Sequence, residues 1–365
     1  MNADHTPRPS SSTAVGASAH HGAGSVPEGL RRRTETFVES ILPEVDVADR
    51  RHVEDLVRSA IRLATDGSDE GQMRLVSRAV REMRHAWVVF NAWRGVRKIA
   101  IYGSARTPEA HPDYGAARDF SRLMASHEWM SITGAGDGIM KAGHEGPSRE
   151  RAFGLRIRLP FETTANAVIE GDPKLISFRY FFTRKLMFMA HADAIAVCPG
   201  GFGTQDELFE CLTLIQTGKS SIVPVVLLEG EGGHYWNDWL GWVKRHLCDN
   251  GWISAEDLSL LHIAATPQAA VEHVVQFYRR YHSARYVGPR YAIRLKVALS
   301  DGELASVNAD YADLVDEGVM KQSGALPGET DHLELTRLSF VHTKRDWGRM
   351  RQLIDALNSI VGDGV

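Results

Sequence analysis

From Lys98 onward, short apolar runs alternate with amphipathic stretches. KIAIY, WMSIT, FGLRIRL, AIAVC, VVLL and LHIAA are too short for helices. Set between helices, and with AIAVC and VVLL continuously apolar, they predict strands of a sheet covered on both faces. Between them, DYGAARDFSRLMASHE, DGIMKAGHEG, FRYFFTRKLMFMAHA, TQDELFECLTLIQTG, HYWNDWLGWVKRHLCDNG and TPQAAVEHVVQFYRRYH predict helices. Such alternation implies the α/β class: a Rossmann-like, doubly wound parallel sheet with helices on both sides.

The pattern changes at both ends. Over 28–96 the segments LRRRTETFVESIL, VADRRHVEDLVRSAIRLATD and MRLVSRAVREMRHAWVVFNAW repeat apolar residues at three-to-four spacing and predict an N-terminal helical layer. Residues 1–27 are rich in Ser, Ala, Gly and His, lack the apolar centre of a signal peptide, and read as a disordered tail in which His20 and His21 are solvated. The domain of alternating strands and helices spans 97–283. Residues 284–365 read as a small α+β appendage. It has two strand-then-helix pieces, YAIRLKVAL with ELASVNADYADLV and HLELTRLSFV with DWGRMRQLIDALNSI, separated by the loop KQSGALPGETD.

Composition narrows the classes. A formal net charge of −4 offers no electrostatic case for nucleic acid or an anionic membrane, and no apolar run is long enough to span a bilayer. Cys198, Cys211 and Cys248 are odd in number and widely spaced, which reads as buried, reduced thiols in a cytoplasmic protein. His234 and His246 stand too far apart for a helical metal pair, so no metal site is expected. Trp236, Trp239 and Trp242 recur every third residue and read as a packed helix face.

The candidate chemistry lies at the strand ends. Three of them carry glycine: Gly103-Ser104, Gly134-Ala135-Gly136-Asp137-Gly138, and Gly200-Gly201-Phe202-Gly203-Thr204. In a doubly wound sheet ligands bind beyond the carboxyl ends of the strands. Glycine lets a ligand approach main-chain N–H groups, and a following helix adds its N-terminal donors, so these loops read as a phosphate cradle. The dinucleotide pattern GxGxxG is absent, and the strand after GAGDGIM ends without an acid until Glu162. The GxxxxGK[ST] loop is absent too. Thr204-x-x-Glu207 has two readings: a helix capping box, or a carboxylate presented to the crevice.

PGGFGTQDE, at Pro199–Glu207, resembles the PGGxGTxxE motif of the lonely-guy family, the cytokinin-activating phosphoribohydrolases, and Thr183-Arg184-Lys185 is similar to the end of its Met-His-x-Arg-Lys motif. The similarity runs from about residue 98 to 280. It implies hydrolysis of the base–ribose bond of nucleoside 5′-monophosphates by a homodimer or larger oligomer, without metal or cofactor. By resemblance Arg184 and Glu207 are the catalytic residues. Ser104, Gly136, Lys185, Gly200, Gly201, Gly203 and Thr204 are the expected nucleotide contacts. The chain departs from the family at Phe181-Phe182, where Met-His is usual, and at Ala135, Asp137 and Lys141 in the glycine loop. Two other classes stay open. One is a non-catalytic nucleotide or molybdenum-cofactor carrier. The other is a regulatory or scaffold protein that works through the flanking segments.

Overall fold

The computed structural model describes residues 27–44, 46–159 and 164–360. The tail expected over 1–27, including His20 and His21, lies outside the described residues apart from Pro27, and Glu162 lies outside them as well. Contacts divide the chain into two compact units, Met1–Ser77 and Arg78–Val365. The first contains helices α1 (Glu28–Ile41) and α2 (Val47–Thr65), with Thr34 and Val38 buried. Helix α3 (Glu70–Asn91) begins in the first unit and ends in the second, so the helical stretch expected over 28–96 is shared between them.

The second unit opens with a run of strands and helices in the order β1 (Lys98–Tyr102), α4 (Pro112–Ser126), β2 (Met130–Thr133), α5 (Ile139–Glu145), β3 (Ala152–Ile157), β4 (Leu175–Phe178), α6 (Phe181–His191), β5 (Ala194–Val197), α7 (Phe202–Gln216), β6 (Val225–Leu228), α8 (Tyr235–Val243), β7 (Leu261–Ala264) and α9 (Pro267–Phe277). The strands form one parallel sheet in the order β4-β3-β2-β1-β5-β6-β7. Every residue of β1, β2, β5 and β6 is buried, as expected for strands covered on both faces. The chain winds outward from β1 in both directions, so the topological switch lies between β1 and β5. The three glycine loops therefore follow three neighbouring strands, β2, β1 and β5.

A second sheet follows, built from β8 (Tyr281–Val287), β9 (Arg290–Leu295), β10 (Val315–Ser323) and β11 (Thr336–His342), with helices α10 (Asp301–Asp310) and α11 (Trp347–Ser359). It is antiparallel in the order β10-β11-β9-β8. Leu338, Phe340, Leu353 and Ile354 join the same buried cluster as the parallel sheet's Ile195 and Val226.

Three strands depart from the sequence expectation. The stretch 178–192 is expected as one helix, but Phe178 closes β4 and α6 starts only at Phe181. The end of the helix expected over 266–282 is instead the start of β8, joined to β9 through Gly288 in the left-handed region (φ 57°). The region around 315–323, expected as helix end and loop, is β10. This edge strand carries Asp316, Glu317, Lys321 and Gln322 and two register shifts, so it lacks the apolar alternation by which a strand is recognised. Of the tryptophans, Trp236 is fully buried, Trp239 is partly buried, and Trp242 stays half exposed, so the packed face holds two of the three.

Candidate functional site

A cavity of about 480 Å³ opens beyond the carboxyl ends of β2, β1 and β5. That volume lies in the range of small-molecule sites. The first loop contributes Gly103, Ser104 and Arg106, the second Gly134, and the third Gly201, Gly203 and Thr204. Helix α6 contributes Phe181, Arg184 and Phe188, and α7 contributes Glu207. Ile101, Met140, Ile157 and Leu159 make one wall apolar.

Of the residues singled out in the sequence, Ser104, Arg184, Gly201, Gly203, Thr204 and Glu207 come together on this cavity. Gly136, Lys185 and Gly200 stand behind its wall. The carbonyl of Gly136 accepts from Asn166 Nδ2 at 2.9 Å. Lys185 Nζ lies 2.7 Å from Asp206 and 2.9 Å from Glu210. Burial opposes its charge, but the two carboxylates outweigh it and raise the ammonium's pKa. The carbonyl of Gly200 accepts from the Tyr235 hydroxyl at 2.6 Å, and a Cβ there would stand 2.1 Å from Thr204 Oγ1. Glycine at 200 is thus required by the protein's own packing.

Gly201 and Gly203 differ. A Cβ at either would meet nothing within 4 Å, and Gly201 is not in the left-handed region (φ −86°). Packing gives no reason for a missing side chain at these two places, and both face the cavity. Helix α7 starts there with Gly201 as its N-cap and no side-chain cap, whereas Thr266 caps α9 and Ser300 with Glu303 forms a capping box on α10. Thr204 is the third residue of α7 rather than its cap, so the capping-box reading of Thr204 and Glu207 is not realised.

Glu207 faces Arg184 instead. Arg184 Nη2 donates to Glu207 Oε1 at 3.2 Å, and both side chains are largely buried. Burial raises the carboxyl of Glu207 above its ordinary range, with Arg184 and Lys185 pulling in the opposite direction. Burial likewise pushes the Cys198 and Cys211 thiols up, so neither is a thiolate at neutral pH. All three cysteines are free.

The loop after β2 is held from behind by His144 on α5. Its Nε2 lies 2.9 Å from Thr133 Oγ1 and 3.0 Å from the Phe153 carbonyl. Burial lowers its pKa, which favours the neutral imidazole. This bracing accompanies a buried non-glycine residue, Ala135, at φ 64°. Among the described residues no group of three or more His, Cys, Asp or Glu is arranged to hold a metal, and no helix is long and apolar enough to cross a membrane.

The protein family described as a possible lysine decarboxylase matches residues 135–274. A probable cytokinin riboside 5′-monophosphate phosphoribohydrolase of Oryza sativa subsp. japonica is 28% identical over 50% of this chain and 80% of its own length. A cytokinin riboside 5′-monophosphate phosphoribohydrolase of Arabidopsis thaliana is 26% identical over 50% of this chain and 83% of its own. Over about half of its length the chain is thus similar to these lonely-guy proteins. Among solved structures, the molybdenum cofactor carrier protein from Chlamydomonas reinhardtii aligns over 50% of this chain and 97% of its own, with 21% identity and a TM-score of 0.36.

Where the lonely-guy motif has Met-His, Phe181 lines the cavity and Phe182 stacks on Tyr180 with ring centroids 5.5 Å apart. Sequence reasoning passed over Arg106 and Phe202. Arg106 lies two residues beyond Ser104 at the switch-point strand β1, a position that could have pointed to it. Phe202 is 97% exposed at the rim, an unusual cost for an aromatic ring at the first position of a helix.

Proposed function

We propose that this protein hydrolyses the N-glycosidic bond of purine nucleoside 5′-monophosphates, cytokinin nucleotides among them, releasing the free base and ribose 5-phosphate. The observation that carries the reading is the buried Arg184–Glu207 pair inside a cavity bordered by the uncapped start of α7. The 5′-phosphate sits against the main chain of Gly201 and Gly203, where the helix donors and the absent side chains leave room for an anion. Rupture of the C1′–N bond builds positive charge on the ribose, as in glycoside hydrolysis. The Glu207 carboxylate stabilises that charge and orients the water that adds at C1′. Arg184 either binds the phosphate or stabilises the departing base, which leaves with a proton. The apolar wall of Ile101, Met140, Ile157 and Leu159 takes the base.

A pyridoxal-dependent decarboxylase requires a lysine to hold its cofactor. Among the described residues lining the cavity there is none, which favours hydrolysis over decarboxylation. A carrier has no need of a carboxylate beside the ribose. In this reading the protein is cytoplasmic and works as a homodimer or larger assembly, with the domain limits 28–96, 97–283 and 284–365 given above.

The test is to incubate the purified protein with AMP, GMP, CMP and isopentenyl-AMP and to separate the products. Free base with an equal amount of ribose 5-phosphate supports the proposal. Tight nucleotide binding without base release from any of the four would replace it with the carrier reading.

A further inference from the structure

On the same edge of the parallel sheet, a second cavity of about 420 Å³ lies beyond β3 and β4 and does not share a residue with the first. Arg78, Arg81 and His85 on α3, with Arg158 after β3 and Arg179 after β4, converge on it. Among the described residues that line it, Arg78, Arg158 and Arg179 stand with one carboxylate, Glu82. That carboxylate already has other partners: Oε1 accepts from the Arg179 main-chain N–H at 2.9 Å, and Oε2 accepts from Thr183 Oγ1 at 2.7 Å. The guanidiniums of Arg78, Arg158 and Arg179 have no acidic partner among the described residues. Other arginines of this unit do stand against carboxylates, among them Arg285 and Arg294 with Asp331, Arg349 with Asp313, and Arg351 with Asp355.

Cationic side chains gathered around one hollow raise the local positive potential and attract an anion to it. Guanidinium forks match phosphate oxygens in pairs, which an ammonium does not. A single phosphate would leave most of the cavity empty, whereas a ligand with two or more phosphoryl groups engages several arginines at once. We propose that this cavity is a second anion site that takes a polyphosphate-class ligand, either inorganic or borne by a nucleotide. It lies one residue from the proposed chemistry, because Glu82 grips Thr183 in the first turn of α6, next to Arg184. An occupant that draws Arg179 inward therefore acts on the helix that carries Arg184.

The proposal goes beyond the hydrolase reading and is tested by binding alone. Inorganic pyrophosphate is titrated calorimetrically into the full chain at near-physiological salt, with wild type compared to Arg158→Ala/Arg179→Ala, Arg158→Lys/Arg179→Lys and Arg184→Ala. Both substituted positions are exposed, so the fold is expected to survive, and circular dichroism checks it. The expected result is a loss of affinity of roughly tenfold or more in both double variants and a change of less than about twofold in Arg184→Ala. Equal binding by wild type and the alanine pair overturns the proposal. So does full retention by the lysine pair, which would mean diffuse charge rather than a built site. Loss in Arg184→Ala also overturns it, because the pyrophosphate would then sit in the first cavity. Repeating the titration with ATP in the Arg184→Ala background separates the two sources: tighter binding than pyrophosphate assigns a nucleotide, and equal binding assigns the inorganic ligand.

Discussion

Arg184 and Glu207 meet at 3.2 Å across the facing sides of α6 and α7, each largely buried and each lining the cavity at the switch point of the sheet. A charge pair in such a place is poor value for stability alone, because desolvation offsets most of the attraction. Its position beside an uncapped helix start gives it a chemical reading.

Glu207→Gln keeps the size and hydrogen-bonding capacity of the side chain and removes its charge. Base release from AMP is expected to fall by about 100-fold or more, the scale of acid–base and electrostatic assistance, while nucleotide affinity changes little. Steady-state kinetics with a binding titration checks this; a variant as active as wild type would remove Glu207 from the mechanism.

Arg184→Ala abolishes turnover and also leaves Glu207 buried without its cation. Breaking such a pair from one side costs on the order of 3 kcal/mol, which urea denaturation would register. The accompanying change in AMP affinity assigns Arg184: a large loss means it holds the phosphate, and a small one means it serves the leaving base.

The pH profile carries the sign of the Glu207 shift. Burial raises its folded-state pKa, so the active carboxylate is lost at a higher pH than for an ordinary glutamate. The acid limb of kcat/KM for AMP is therefore expected above about 4.3, where an ordinary glutamate titrates, and absent from the residual activity of Glu207→Gln. The same shift means that Glu207 favours the native state below its unfolded pKa, and that this contribution is lost as pH rises through the folded value. An acid limb at or below about 4.3 contradicts the assignment.

Glu329 shows the opposite sign. Burial alone would raise its pKa, but hydrogen bonds from Arg337, the Leu326 main chain and Arg294 outweigh it and hold it at about 2. The stability it contributes is present above about pH 4.3 and is lost as pH falls toward 2. Glu329→Ala leaves Arg337 buried without a carboxylate and is expected to cost roughly 3 kcal/mol at neutral pH, with a smaller difference from wild type in acid. Denaturation curves at two pH values would show it; equal midpoints at neutral pH would contradict it.

Gly203→Ala separates packing from binding. The added Cβ has open space, so stability is expected to change by less than about 1 kcal/mol, whereas AMP affinity falls by roughly tenfold. Gly200→Ala drives a Cβ against Thr204 Oγ1 and is expected to lower both. If Gly203→Ala binds AMP as wild type does, the phosphate lies elsewhere.

The doubly wound sheet was legible in the chain because strands buried on both faces must be continuously apolar, as in Ile99–Tyr102 and Ala194–Val197. The glycine loops were legible because glycine clusters at strand ends where close packing, as at Gly103 and Gly200, or room for a ligand, as at Gly201 and Gly203, excludes a side chain. The polar edge strand Val315–Ser323 was not, because its exposed residues obey no burial pattern. Nor does spacing along the chain say which loops are neighbours. That depends on winding outward from β1, which brings residues near 104, 134 and 201 to one rim. Whether Glu207 caps its helix or faces a cation depended on where α7 begins. The sequence allowed both, and the start at Phe202, with Arg184 opposite on α6, selected the second. The arginines of the second cavity come from three segments, and only the fold makes them neighbours. Local pattern carries burial and turning, whereas charge proximity between distant segments exists only after the chain has packed.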